Sequence, residues 1–162
     1  MARPDLARPV ILILAAGASS RMRGADKLLE PVDGLPQLAR SARAALATGA
    51  EVFVTLPPDR PLRQAALRGL AMRPVLLANA AEGMAASLTG GLAAIAPDAP
   101  VLVHLADLPD ITADDLSLML AEWARTPDLI LRGAAEDGTP GHPVCFPPWA
   151  RGDLMALSGD EG

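Results

Sequence analysis

Residues 10–27 read VILILAAGASSRMRGADK, and this stretch decides the fold. The five apolar residues 10–14 form a short, uninterrupted run of the kind that fills a strand buried on both faces. Small residues follow at once: Ala15, Ala16, Gly17, Ala18, Ser19 and Ser20. They let the main chain come close to a ligand. Arg21, Arg23 and Lys27 then place three cations just past the strand end. Close backbone approach beside clustered positive charge is what a polyphosphate site requires. The competing reading is a strand-to-loop turn with solvated charges.

Working outward, similar apolar runs recur at 51–56, 73–78, 99–105 and 127–132. Between most of them the apolar positions switch to helical spacing. Leu38, Ala42, Ala45 and Leu46 share one face, Met84, Leu88, Leu92 and Ile95 a second, and Leu116, Leu120 and Trp123 a third. Short apolar strands alternating with helices predict a mostly parallel sheet covered by helices on both faces. No Gly/Ser-rich linker or low-complexity stretch divides the 162 residues, a length suited to one domain with a sizeable core. The expectation is a single α/β domain over residues 1–162.

Ligands of such sheets bind outside the carboxyl ends of the strands. There the sequence offers the small-residue loop with Arg21 and Lys27, the turn 55–59, the segment 79–83 and the segment 105–109. Asp107 ends the run 101–105, and Pro109 stops the ladder from continuing. A carboxylate facing a polyphosphate is a hard oxygen ligand for Mg²⁺; an Asp that merely initiates a turn is the alternative. Asp114 and Asp115 after Thr112 read as a helix cap. Gly83 precedes a helix whose free N–H groups can meet a ligand, with Ser87 in its first turn and Met84 and Leu88 read as core.

Composition narrows the partners. A net charge of −5, no Tyr, two Phe and two Trp leave neither a basic stripe nor a stacking platform for nucleic acid. An anionic ligand must therefore meet a local cationic site. The one cysteine, Cys145, excludes an internal disulfide and a CxxC zinc site and is expected to be a buried, inert thiol. No stretch approaches the ~18 apolar residues of a membrane span, and 10–16 is too short for a signal peptide. The expected compartment is the cytoplasm, with no membrane association.

Five segments in order carry a family resemblance: Leu14-Ala15-Ala16-Gly17 through Arg21-Met22 and Lys27; Glu82-Gly83-Met84 through Ser87-Leu88; Leu105-Ala106-Asp107-Leu108-Pro109; Gly141-His142-Pro143-Val144; and Leu157-Ser158-Gly159-Asp160-Glu161-Gly162. Together they resemble the molybdenum cofactor nucleotidyltransferases, most nearly the cytidylyltransferase members. The resemblance implies a three-layer, Rossmann-like fold and transfer of CMP from CTP to the phosphate of molybdenum cofactor, releasing pyrophosphate. It implies that the backbone of Leu14, Ala15, Ala16 and Gly17 holds base and ribose and that Ser19 and Arg21 engage the triphosphate. Lys27 would stabilise charge as the α-phosphate is attacked, and Asp107 would hold Mg²⁺. Asn79, Gly83 and Ser87 would lie near the nucleoside, and Gly141 and His142 toward the acceptor, a phosphorylated pterin. His142 could orient the acceptor or take a proton, or simply be satisfied at a strand start. Ala15-Ala16-Gly17 goes with CTP, where Ala-Gly-Gly goes with GTP. Ala85 and Ala86 depart from the family by standing where serines are usual.

The family's further C-terminal segment, with an Asp-x-Asp-Thr-Pro-like carboxylate pair, is expected to be lacking. The alternatives are a catalytically incomplete nucleotide-binding domain that partners a molybdoenzyme or chaperone in cofactor delivery, or a transferase that uses GTP or a sugar phosphate.

Overall fold

The alternation of the apolar runs sorts their side chains onto two sides of one sheet. The computed structural model describes residues 7–18 and 24–159. Its strands in chain order are β1 (Val10–Leu14), β2 (Pro31–Val32), β3 (Leu35–Pro36), β4 (Val52–Leu56), β5 (Arg73–Leu76), β6 (Val101–Leu105), β7 (Leu131–Ala134) and β8 (Pro140–Phe146). The helices are α1 (Gln37–Ala47), α2 (Pro61–Ala66), α3 (Met84–Ala93), α4 (Ala113–Arg125) and α5 (Arg151–Met155).

Among the described residues, a six-stranded sheet has the order β5-β4-β1-β6-β8-β7, and β2 and β3 form a separate small hairpin. β5, β4, β1 and β6 pair in parallel, and β8 runs antiparallel to both β6 and β7. Ile11, Ile13, Val52, Val54, Leu56 and Leu102 point to one side, where Leu38, Ala42, Leu116 and Trp123 of α1 and α4 cover them. Val10, Leu12, Phe53, Val101 and Val103 point to the other, packed on Leu88 and Leu92 of α3 and on Leu154 and Leu157. The fold is thus the expected α/β arrangement: a mostly parallel sheet between two helical layers. Among the described residues, no helix is long and apolar enough to cross a membrane.

Two expectations are corrected. The apolar run 127–132 reads as a strand, but β7 spans Leu131–Ala134, and Leu129 and Ile130 are exposed. β7 is an edge strand whose position is fixed by pairing Leu131 with Cys145 and Arg132 with Val144 of β8. A local apolar run carries no information about that long-range pairing. Met84 was expected in the core, yet it is 38% exposed, while Leu88, on the same helical face one turn later, is buried. Met84 is the first residue of α3 and is not among that helix's buried residues.

The helix ends follow their sequence signals. Thr112 caps α4: its Oγ1 accepts the Asp115 amide at 3.2 Å, and the Asp115 carboxylate accepts the Thr112 amide at 2.8 Å. These bonds hold Asp115 below the usual carboxylate range, as a structural acid. The C-terminal segment braces α3 at both ends. Arg151 donates to the carbonyls of Leu92, Ile95 and Ala96, and the Gly159 carbonyl accepts the Ala85 amide at 3.2 Å. Cys145 is fully buried, which pushes its thiol up to about 12.

α3 lies close on the sheet because Gly91 has no side chain. A Cβ there would stand 2.7 Å from Leu12 Cδ1 and 2.9 Å from Thr55 Cγ2. Gly91→Ala should therefore cost about 1–3 kcal/mol of stability through overpacking. Denaturant unfolding checks this, and an unchanged midpoint would contradict the close approach.

Candidate functional site

Four chain segments arrive at the carboxyl edge of the parallel strands, and together they enclose a cleft of about 390 Å³. β1 delivers Leu14, Ala15, Gly17 and Ala18; the turn before α3 delivers Ala80, Ala81 and Gly83; α3 delivers Met84 and Ser87; β6 and its exit deliver Leu105 and Asp107. Leu28 closes the remaining side. A neighbouring cleft of about 360 Å³ runs between Ala16, Gly17 and Ala18 and the segment from Pro57 to Arg60. Leu14, Ala15, Gly17, Gly83, Ser87 and Asp107 thus meet in one place, and Ala16 faces the adjoining cleft. Gly83 has a φ of 111°, a left-handed value that side chains disfavour, and the helix starts directly after it.

The other expected residues are placed less centrally. Asn79 is exposed and precedes the short 3-10 turn Ala80–Glu82 without capping it by its side chain. Lys27 begins the 3-10 turn Lys27–Leu29, one residue before cleft-lining Leu28. Gly141 and His142 lie near the start of β8, beside the end of β6 and outside the cleft lining. Ser19, Arg21 and residues 160–162 fall outside the described residues.

Hydrogen bonds tie the first loop to the elements behind it. The buried Thr55 hydroxyl on β4 accepts the Ala15 amide at 3.1 Å and shares a 2.7 Å bond with the Ser87 hydroxyl. Ser87 is therefore oriented by Thr55. Arg63 on α2 is completely buried. Its Nε and Nη2 donate to the two Asp26 oxygens at 2.7 and 3.0 Å, and its Nη1 donates to the carbonyls of Ala15 at 2.6 Å and Gly17 at 2.8 Å. Burial alone would raise the Asp26 carboxyl. The Arg63 bond, the Leu28 amide and the Arg63 and Arg60 charges outweigh it and hold the group below its usual range.

Sequence reading offered Thr55 only as the start of the turn 55–59, whereas it lies buried inside β4, and it missed Arg63. A threonine inside an apolar strand run is a faint signal. A helix arginine reads as a surface cation until the tertiary contacts bury it.

The acid–base groups cluster at the β6 end. His104 Nε2 meets the Ser41 hydroxyl at 2.9 Å, while its Nδ1 is buried without a partner among the described residues. Desolvation, then the proximity of His142, push His104 down to about 4 against an opposing pull from Asp107. Desolvation also lowers the half-buried His142, aided by the Arg132 charge and opposed by the Val103 backbone and Asp107. Both imidazoles are therefore neutral near pH 7. His142 Nδ1 is likewise buried and unpartnered among the described residues.

His104 also makes stability pH-dependent. Between the ordinary 6.5 and about 4, the unfolded chain binds a proton that the native state refuses. That contribution is complete above pH 6.5 and is lost as pH falls to about 4, at about 3 kcal/mol in all. Denaturant unfolding of wild type and His104→Gln should show the wild-type advantage shrinking over that window. Parallel curves would contradict it.

The comparison with family models identifies one family. The model of the MobA-like NTP transferase domain matches residues 11–162. The chain belongs to this family. Its solved structural relatives include Rv0371c from Mycobacterium tuberculosis H37Rv, with a TM-score of 0.82 and 28% identity over 96% of this chain and 79% of that one. Another structure of that protein is a manganese complex, with a TM-score of 0.77 and 24% identity over 94% and 78% of the two chains. A nucleotidyl transferase from Methanothermobacter shares the fold at a TM-score of 0.75 and 22% identity, over 94% and 78%. A search of the curated proteins finds no match. In this NTP transferase domain, the cleft beside Leu14–Ala18 occupies the sheet edge where ligands of parallel sheets bind.

Asp107 fits a divalent cation by donor chemistry. Its carboxylate lines the cleft, and no described residue forms a hydrogen bond or ion pair with it. Hard oxygen donors suit Mg²⁺ or Mn²⁺. Among the described residues, no group of three or more His, Cys, Asp or Glu is placed to hold a metal without further ligands, so phosphate oxygens or water would complete the shell.

Proposed function

We propose that this chain transfers CMP from CTP to the phosphate of molybdenum cofactor, releasing pyrophosphate. The observation that carries the reading is the convergence of the Leu14–Ala18 backbone, Gly83, Ser87 and Asp107 on one cleft. The family match supports nucleotidyl transfer, and a CTP complex of CMP:2-keto-3-deoxy-manno-octonic acid synthetase shares the fold at a TM-score of 0.70 and 16% identity.

In this reading Leu14, Ala15, Ala16 and Gly17 hold base and ribose through their backbone, with Asn79, Gly83 and Ser87 on the nucleoside side. Ser19 and Arg21 bind the triphosphate. An acceptor phosphate oxygen attacks the α-phosphorus in line, one P–O bond forms, and the bond to the departing pyrophosphate breaks. Lys27 stabilises charge building on the phosphoryl oxygens, so the work is positioning and electrostatics without a covalent nucleophile. Gly141 and His142 orient the acceptor, and a neutral imidazole is suited to receive a hydrogen bond or a proton. Asp107 holds Mg²⁺, which when bound offsets the negative charge of the phosphates; the manganese complex of the mycobacterial relative supports a divalent ion.

The test is incubation with radiolabelled CTP, Mg²⁺ and molybdopterin. Labelled dinucleotide and pyrophosphate are expected. CTP binding with no pyrophosphate would replace the enzyme reading by a nucleotide-binding partner in cofactor delivery. Turnover only with GTP or with a sugar phosphate would replace the substrate.

A further inference from the structure

Arg63 has the chemistry of a ligand-binding cation and the position of a core residue: it is fully buried and lines neither cleft at the sheet edge. Four of the five N–H groups of a guanidinium are engaged, two by the Asp26 carboxylate and two by the Ala15 and Gly17 carbonyls. One N–H remains, but the guanidinium has no exposed surface with which to grip a phosphate.

The direction of those carbonyls matters more than their number. In a planar trans peptide the C=O of one residue and the N–H of the next point opposite ways. Drawing the Ala15 and Gly17 carbonyls onto Arg63 therefore aims the Ala16 and Ala18 amides away from it. Among the described residues neither amide has an acceptor. Free main-chain amides facing outward are donors available to an anion. Asp26 works at the loop's other end. Its Oδ1 accepts the Leu28 amide at 3.1 Å and so begins the turn that carries Lys27. One buried ion pair thus fixes the loop where it leaves β1 and where it rejoins the fold.

We infer that Arg63 and Asp26 are a positioning pair, which sets the direction of the loop's ligand-facing amides and the placement of Lys27 without touching the ligand. This rests on the reading of the cleft as a nucleotide site. Arg63→Ala alone would strand a buried carboxylate and could unfold the chain. The double variant Arg63→Met/Asp26→Leu removes both charges at similar volume, a replacement that often leaves stability intact.

The measurements are hydrogen exchange in the free protein and the dissociation constant for CTP with Mg²⁺. In the double variant the Ala15 and Leu29 amides should exchange at least about tenfold faster, while β4 and β6 amides keep their rates, because only the loop's local opening changes. The CTP dissociation constant should rise about tenfold. Millimolar methylguanidinium should restore CTP binding to Arg63→Ala, which a general loss of packing would not allow. Unchanged exchange at Ala15 and Leu29, or acceleration spread equally over the sheet, would overturn the inference. A wild-type protein that binds no CTP would strike the nucleotide reading instead, and the exchange pattern would still decide the pair.

Discussion

Lys27→Ala should lower kcat by about 10²–10³-fold while changing the dissociation constant for CTP much less. Losses of this size follow when one preorganised charge is removed from a site where negative charge develops. The lysine starts the Lys27–Leu29 turn beside the cleft wall, its backbone anchored by the Asp26 cap. In the proposed reaction an ammonium held there would gain most when the phosphoryl oxygens take up additional charge, which would place its contribution in the transition state. Steady-state kinetics with CTP, alongside equilibrium binding, separates the two effects. Equal losses in rate and affinity would show that Lys27 binds the ground-state triphosphate instead. Because the side chain is only half-buried and has no ion-pair partner among the described residues, the variant should fold normally.

Asp107→Asn should abolish the dependence of CTP binding on Mg²⁺ and reduce turnover by two orders of magnitude or more, about 10²-fold at least. The amide keeps the shape of the carboxylate and loses the charge that a hard cation requires. Asp107 follows β6 at the cleft rim, where no described residue depends on it for a hydrogen bond. Thermal stability should therefore stay near wild type. Titrating Mg²⁺ into mixtures of CTP and each protein reads the difference directly. An unchanged metal dependence would dismiss Asp107 as the ligand and return it to the role of a turn-initiating residue.

Much of this architecture could be read from the chain. β1, β4 and β6 are short apolar runs buried on both faces, so neither their existence nor their approximate ends depended on knowing their partners. The α4 cap was visible because Thr112 and Asp115 lie three residues apart and satisfy each other locally. The gathering of Gly17, Gly83, Ser87 and Asp107 followed from a topological rule: parallel strands put their exits on one edge. β7 was misplaced because an edge strand takes its register from its neighbour, and the run 127–132 contains apolar residues that remain exposed.

The sequence by itself determined the layered α/β fold and the edge on which a ligand would sit, since both depend on periodicity and on the order of strands. It also carries the match to the MobA-like NTP transferase family over residues 11–162. Only the tertiary structure decided what holds the first loop in place. Thr55 is 40 residues from Ala15, and Arg63 is 37 from Asp26. No local pattern links such pairs. Burial converts an arginine that a sequence presents as solvated into a clamp on two carbonyls, because a guanidinium withdrawn from water must find an acceptor for nearly every N–H it carries.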